Sequence, residues 1–148
     1  EGRGKIYKIK KENSNFNLID ESYNANPLSM SKSIEKFSKL QKFKYNKYLL
    51  LGDMLELGKN SRKLHYDLSK IINKAQINKL FVHGKLIMHT YKYVNKNKRG
   101  NMLQQNSDFK DTILPLIKKN DYLLIKGSNA TGLNNISKKL IKGKINAL

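Results

Sequence analysis

Cysteine is absent from this 148-residue chain, which excludes disulfides and thiolate metal sites and agrees with a reducing compartment. Acidic residues are scarce, 11 against 30 basic ones. Apolar runs are short, and none approaches the roughly 18–20 residues that a membrane-spanning helix needs. No apolar stretch with a cleavage site opens the chain, so export is not expected. Two phosphate-binding signatures are also missing. There is no Gly-x-x-x-x-Gly-Lys-Ser/Thr loop and no Gly-x-Gly-x-x-Gly turn after a strand, because Gly2-Arg3-Gly4 precedes the first expected strand. The first residue is Glu, and the chain is read as part of a longer or processed protein.

The net charge of +19 invites a nucleic-acid reading. Three observations oppose it. Only Arg3, Arg62 and Arg99 are arginines, whereas specific readers of bases lean on the bidentate guanidinium. Lysine, asparagine and isoleucine, all abundant here, share A/T-rich codons. The lysines are also spread along the whole chain. A solvated basic surface is the expectation; no nucleic-acid or membrane partner is expected.

Hydrophobic periodicity gives the organisation. Ile6–Ile9 and Asn17–Asp20 read as two strands split by a polar turn at Lys11–Asn15. Asn26 and Pro27 suit a helix start, and Met30, Ile34, Phe37 and Leu40 follow at helical spacing. Tyr48–Leu51 is a continuous apolar run, as in a strand covered on both faces. After a loop over Gly52–Asn60, Ser61 is expected to cap a helix carrying Leu64, Leu68, Ile71, Ile72 and Ala75. A strand at Leu80–His83 ends at Gly84. A helix is expected over Leu86–Val94, a short strand at Asn101–Leu103, and a helix capped by Ser107 in which Pro115 sits late. Tyr122–Ile125 is the last strand and Leu133–Ile141 the last helix. The order β-β-α-β-α-β-α-β-α-β-α predicts one α/β domain over residues 1–148. It is a Rossmann-like, three-layer fold with a mostly parallel sheet of about six strands, one antiparallel edge and helices on both faces.

Polar groups collect at four strand ends: Asp20-Glu21, Gly52-Asp53, His83-Gly84 and Lys126-Gly127-Ser128. Ligands of open α/β sheets bind outside the carboxyl ends of the strands, so these ends form one candidate site. Without a phosphate cradle, such a sheet is expected to hold half of a site, another domain holding the rest. Three scattered histidines with no paired spacing make no metal site; His83 and His89 are read as structural.

Four strings carry a resemblance. Asp20-Glu-Ser-Tyr-Asn-Ala-Asn-Pro27, Leu51-Gly-Asp-Met-Leu-Glu-Leu-Gly58 with His65 on the next helix, Lys126-Gly-Ser128, and Gly2-Arg3-Gly4 resemble, in order, the signatures of the C-terminal domain of the Mur ligases. They come nearest the branch that adds D-alanyl-D-alanine to UDP-N-acetylmuramoyl-tripeptide. The resemblance implies an ATP-dependent amide ligase of cytoplasmic peptidoglycan synthesis. ATP phosphorylates the tripeptide carboxylate, and the dipeptide amine attacks the acyl phosphate. An N-terminal domain binds the UDP-sugar, and a central domain carries the phosphate cradle and Mg2+. Neither is in this chain, which alone is expected to be inert and monomeric.

The resemblance also implies residue roles. Arg3, Asp20, Glu21, Tyr23, Asn24 and Asn26 would face the nucleotide, with Asn26 equally explained as a helix cap. Asp53 and Glu56 would line the acceptor side, where an acid holds the dipeptide ammonium or is an ordinary loop acid. His65 would act there or anchor the loop. Lys126, Gly127 and Ser128 would meet the acceptor carboxylate. Two positions depart from the family pattern: Glu21 stands where Asp is usual, and Asn129 where Arg is common. The competing readings are a stand-alone module that binds small peptides or a nucleotide without catalysis, and a basic nucleic-acid-binding domain.

Overall fold

The computed structural model describes residues 4–148, so Gly2 and Arg3 lie outside the described residues. Eleven regular elements follow in order: β1 (Ile6–Lys11), β2 (Ser14–Glu21), α1 (Pro27–Lys39), β3 (Lys47–Gly52), α2 (Ser61–Lys74), β4 (Lys79–His83), α3 (Met88–Tyr91), β5 (Arg99–Met102), α4 (Asp108–Thr112), β6 (Tyr122–Lys126) and α5 (Leu133–Ile141). The sheet order is β1-β2-β6-β3-β4-β5. β1 pairs antiparallel with β2, and every other neighbouring pair is parallel. The last strand in sequence is therefore inserted between the second and the third.

Side chains alternate across each strand, so a strand buried on both faces feeds two cores. Leu49 and Leu51, Leu80 and Val82, Ile19 and Leu124 pack with Met30, Ile34 and Phe37 of α1 and Leu68 and Ile72 of α2. Tyr48 and Leu50, Phe81, Leu123 and Ile125, Phe16 and Leu18 pack with Phe109 of α4 and Leu133, Ile136 and Leu140 of α5. This is the three-layer arrangement expected from the sequence.

The elements differ from expectation at their ends. β1 and β2 run longer, because the hairpin turn is only Glu12-Asn13, with Glu12 at φ +53°. Ser61 is not a cap but the first residue of α2, and its carbonyl serves His65 instead. Ser107 makes no capping bond; the Asp108 carboxylate takes the free N–H groups of Gln104 and Gln105 at 2.9 and 3.1 Å. The helix expected to contain Pro115 ends at Thr112, and a 3-10 turn follows over Leu114–Leu116. Proline has no N–H to donate and its ring collides with the preceding turn, so the helix stops before it. The helix expected over Leu86–Val94 is regular only over Met88–Tyr91, and β5 begins two residues earlier than expected. Asn26 caps α1 as expected: its Oδ1 accepts the Ser29 N–H at 2.8 Å, and the Ser29 hydroxyl accepts the Asn26 N–H at 3.1 Å.

At the edge opposite the candidate site, Asp121 ties the approaches to β3 and β6 to the body of β2. Its carboxylate accepts the Asn46 N–H at 3.1 Å before β3 and the Lys118 N–H at 2.8 Å before β6. Its carbonyl accepts the Asn17 N–H at 2.8 Å. Asp121→Ala strands the two N–H groups that its carboxylate serves. It is expected to lower the unfolding free energy by about 2 kcal/mol, read from urea denaturation, while Asp111→Ala on the exposed face of α4 changes it by less than about 0.5 kcal/mol.

Candidate functional site

Parallel register brings the strand ends to one edge. Glu21 of β2 pairs with Lys126 of β6, Lys126 with Leu51 of β3, and Gly52 with His83 of β4. The loops leaving β2, β6, β3 and β4 therefore stand side by side, and β6 places Lys126-Gly127-Ser128 between the first and the third.

The loop after β2 is shaped from within. Asp20 is buried, and its Oδ1 accepts both the N–H (3.1 Å) and the hydroxyl (2.5 Å) of Ser22, which bends the chain out of the strand. Its side chain thus serves its own loop. Glu21 accepts a hydrogen bond from the Ser33 hydroxyl on α1 through Oε1, the oxygen that lies 3.3 Å from the Lys126 ammonium. Lys126 also donates to the Asn24 carbonyl at 3.0 Å. Tyr23 and Asn24 are exposed on the loop, and Lys138 of α5 lies over the Tyr23 ring. Asn26 is spent on the helix cap.

On the other side of β6, the loops of β3 and β6 are tied directly. The Ser128 N–H donates to the Asp53 carbonyl at 3.0 Å, and the Ser128 hydroxyl accepts the Leu55 N–H at 2.9 Å. Gly127 sits at a close approach: a Cβ there would lie 3.1 Å from the Gly52 Cα, tighter than an ordinary contact. The Asp53 carboxylate turns toward the loop after β4, where Oδ1 accepts the Ile87 N–H at 2.8 Å. That loop passes so close that a Cβ on Gly84, itself at φ +131°, would meet Asp53 Oδ1 at 2.3 Å. Only glycine satisfies both conditions there. Glu56 is exposed in a left-handed conformation, φ +61°.

His65 is fully buried with both ring nitrogens engaged. Nε2 accepts the Met54 N–H at 3.0 Å, and Nδ1 donates to the Ser61 carbonyl at 2.7 Å. That pattern requires the neutral imidazole protonated at Nδ1. Burial holds its pKa below the ordinary 6.5. Of the two expectations for this residue, the structure displays the loop anchor; no ring nitrogen is left for an acceptor.

The chain as a whole has counterparts among known proteins. The family model described as "Mur ligase, glutamate ligase domain" matches residues 5–129. The chain belongs to the Mur ligase family. The UDP-N-acetylmuramoyl-tripeptide–D-alanyl-D-alanine ligase of Buchnera aphidicola from Acyrthosiphon pisum is 33% identical over 125 residues, 84% of this chain and 27% of that protein. The ligase of the same name in Bacillus subtilis is 31% identical over 139 residues, 91% of this chain and 30% of that one. The chain thus spans less than a third of these relatives. Among solved structures, MurF from Thermotoga maritima in complex with ADP superposes with a TM-score of 0.75 over 99% of this chain and 31% of that one, at 22% identity. MurF from Acinetobacter baumannii gives 0.76 over 95% and 30%, at 24% identity. At these identities the superpositions establish the Mur ligase C-domain fold.

The structure brings together Asp20, Glu21, Tyr23, Asn24, Asn26, Asp53, Glu56 and Lys126–Ser128, with His65 beneath them. Arg3 lies outside the described residues. It also redraws one expectation. Lys126 is 5% exposed and its ammonium is held by Glu21 and the Asn24 carbonyl, so in this structure it braces the loop after β2. Ser33 is a residue of the site that sequence reasoning missed. It lies one helix away from Glu21 and carries no local pattern of its own. Gly84 was visible as the end of a strand, but not its contact with Asp53.

Two predictions follow from these bonds. Lys126→Met strands a largely buried carboxylate and is expected to cost about 3 kcal/mol; adding Glu21→Gln should recover at least half of that loss in a double-mutant cycle. The second concerns pH. The folded state keeps His65 neutral below its unfolded pKa, so its contribution is fully present above about pH 6.5 and is lost as pH falls from there toward the lowered folded value. Urea stability should decline between pH 7.5 and 5, and the decline should be shallower in His65→Gln.

Proposed function

We propose that this chain is the third domain of an ATP-dependent amide ligase that joins D-alanyl-D-alanine to UDP-N-acetylmuramoyl-tripeptide in the cytoplasm. The observation that carries this reading is the single rim, in a chain 31–33% identical to ligases of that name over 84–91% of its length.

The rim divides into two sides. Toward the nucleotide, the exposed side chains are Tyr23 and Asn24, an aromatic ring and an amide suited to a base or a ribose. Glu21 adds its second oxygen, Oε2, on the side of Gly4. Asp20, Ser22, Ser33 and Lys126 hold that loop in shape. Toward the acceptor stand Asp53 and Glu56, whose free carboxylate oxygens suit the dipeptide ammonium, and the Gly127–Ser128 backbone, which fixes their loop. ATP, when bound, supplies the phosphoryl group that activates the tripeptide carboxylate. This chain's share is to position the dipeptide amine and to cover the activated carboxyl from water, as a closing domain does. Among the described residues, no group of three or more His, Asp or Glu side chains is placed to hold a metal. By the family resemblance, Mg2+, the phosphate cradle and the UDP-sugar are assigned to the central and N-terminal domains of the full ligase.

The test is reconstitution. The chain alone, mixed with ATP, UDP-sugar tripeptide and D-alanyl-D-alanine, is expected to release no phosphate. Adding the N-terminal two-domain fragment of the same ligase should restore release that depends on the dipeptide. Turnover by the chain alone would contradict this assignment. Dipeptide binding without restored turnover would favour the stand-alone binding module.

A further inference from the structure

A groove on the outer face of α2 uses none of the rim residues. It is an open cavity of about 500 Å3 lined by Arg62, Lys63 and Tyr66 of α2 and by His89, Lys92 and Tyr93 of α3 and the turn after it. Its floor is aromatic: Tyr66 and Tyr93 meet edge to face, with centroids 4.8 Å apart at 89°, and Tyr93 remains 57% exposed. Its far wall is fixed, because the Asn73 amide donates to the Tyr93 carbonyl at 3.0 Å and accepts the Asn95 N–H at 2.8 Å.

Its charges are unspent. The acid of this helix face, Asp67, is already paired with Lys63 at 2.8 Å and approached by Lys70 at 3.8 Å. Among the described residues, Arg62 and Lys92 enter no ion pair. A basic surface is unremarkable in a lysine-rich chain, but Arg62 is not part of that excess. Of the two described arginines, Arg99 is consumed structurally, donating to the Val94 carbonyl at 2.9 Å and lying over the Tyr91 ring. Arg62 instead presents a free guanidinium at the mouth of a tyrosine-floored cavity.

We propose that the α2–α3 groove is a second ligand site, separate from the rim, for a small phosphorylated molecule with an aromatic body, of the nucleoside-diphosphate class. The planar guanidinium of Arg62 matches two phosphate oxygens, and Lys92 adds a point charge. The exposed face of Tyr93 takes the ring. The volume lies within the range of small-molecule pockets.

The test is titration of the 15N-labelled protein with ADP and with pyrophosphate in 0.15 M NaCl, where screening over about 8 Å suppresses diffuse attraction to the +19 surface. ADP should produce saturable shifts at the amides of Arg62, Tyr66, Lys92 and Tyr93, and should bind at least about threefold tighter than pyrophosphate, which lacks the ring. Arg62→Ala should weaken binding about tenfold and Arg62→Lys about threefold, since lysine keeps the charge and loses the fork. Lys118→Ala removes the same charge at a distance and should change binding by less than about twofold. Equal losses in Arg62→Ala and Lys118→Ala, or no saturable shift at the groove, would overturn the proposal. Shifts at Tyr23 and Asn24 report the rim separately, so each site stands or falls on its own residues.

Discussion

The insertion of β6 between β2 and β3 is the pairing on which everything else rests. Leu123, Leu124 and Ile125 pair with strands on both sides although their partners lie 75 positions away in β3 and 105 positions away in β2. The same three residues feed both cores, Leu124 one and Leu123 with Ile125 the other. A fully buried, doubly paired strand has one register that satisfies its backbone and both faces. That register decides where Lys126, Gly127 and Ser128 emerge, and hence which loops they join.

The rim that results is a set of crossed ties. Lys126 reaches back to Glu21 and Asn24, and Ser128 reaches across to Asp53 and Leu55. Asp53 reaches on to Ile87, and His65 holds Met54 from below. Loops ordinarily owe their mobility to backbone groups satisfied by water. Here backbone N–H and carbonyl groups of the loops after β2 and β3 are satisfied by side chains and backbone of other elements. The buried Lys126 ammonium is paired with Glu21, and the buried Asp20 carboxylate is hydrogen-bonded by Ser22, which lowers the cost of burying each. These ties make the rim one mechanical unit with the sheet beneath it.

The alternation of strands and helices, the double-sided burial of Tyr48–Leu51 and the cap at Asn26-Pro27 were legible because each is written in local periodicity or in adjacent residues. The gathering of four polar strand ends was legible for the same reason, since parallel strands must put their carboxyl ends on one edge. The short helices α3 and α4 were not. Their apolar residues keep helical spacing, yet Pro115 and the competing Asp108 turn cut one short. The direction in which Lys126 points was equally hidden. It depends on pairing with Glu21 across 105 residues, which no local pattern encodes.

Amide hydrogen exchange tests the interlocked rim most directly. The account predicts that the N–H groups of Met54, Leu55 and Ser128, though they lie in loops, exchange about as slowly as those of Leu50 and Leu124 in the central strands, opening only with global unfolding. Exchange of these three at the rate of the exposed turn residue Lys119 would contradict it.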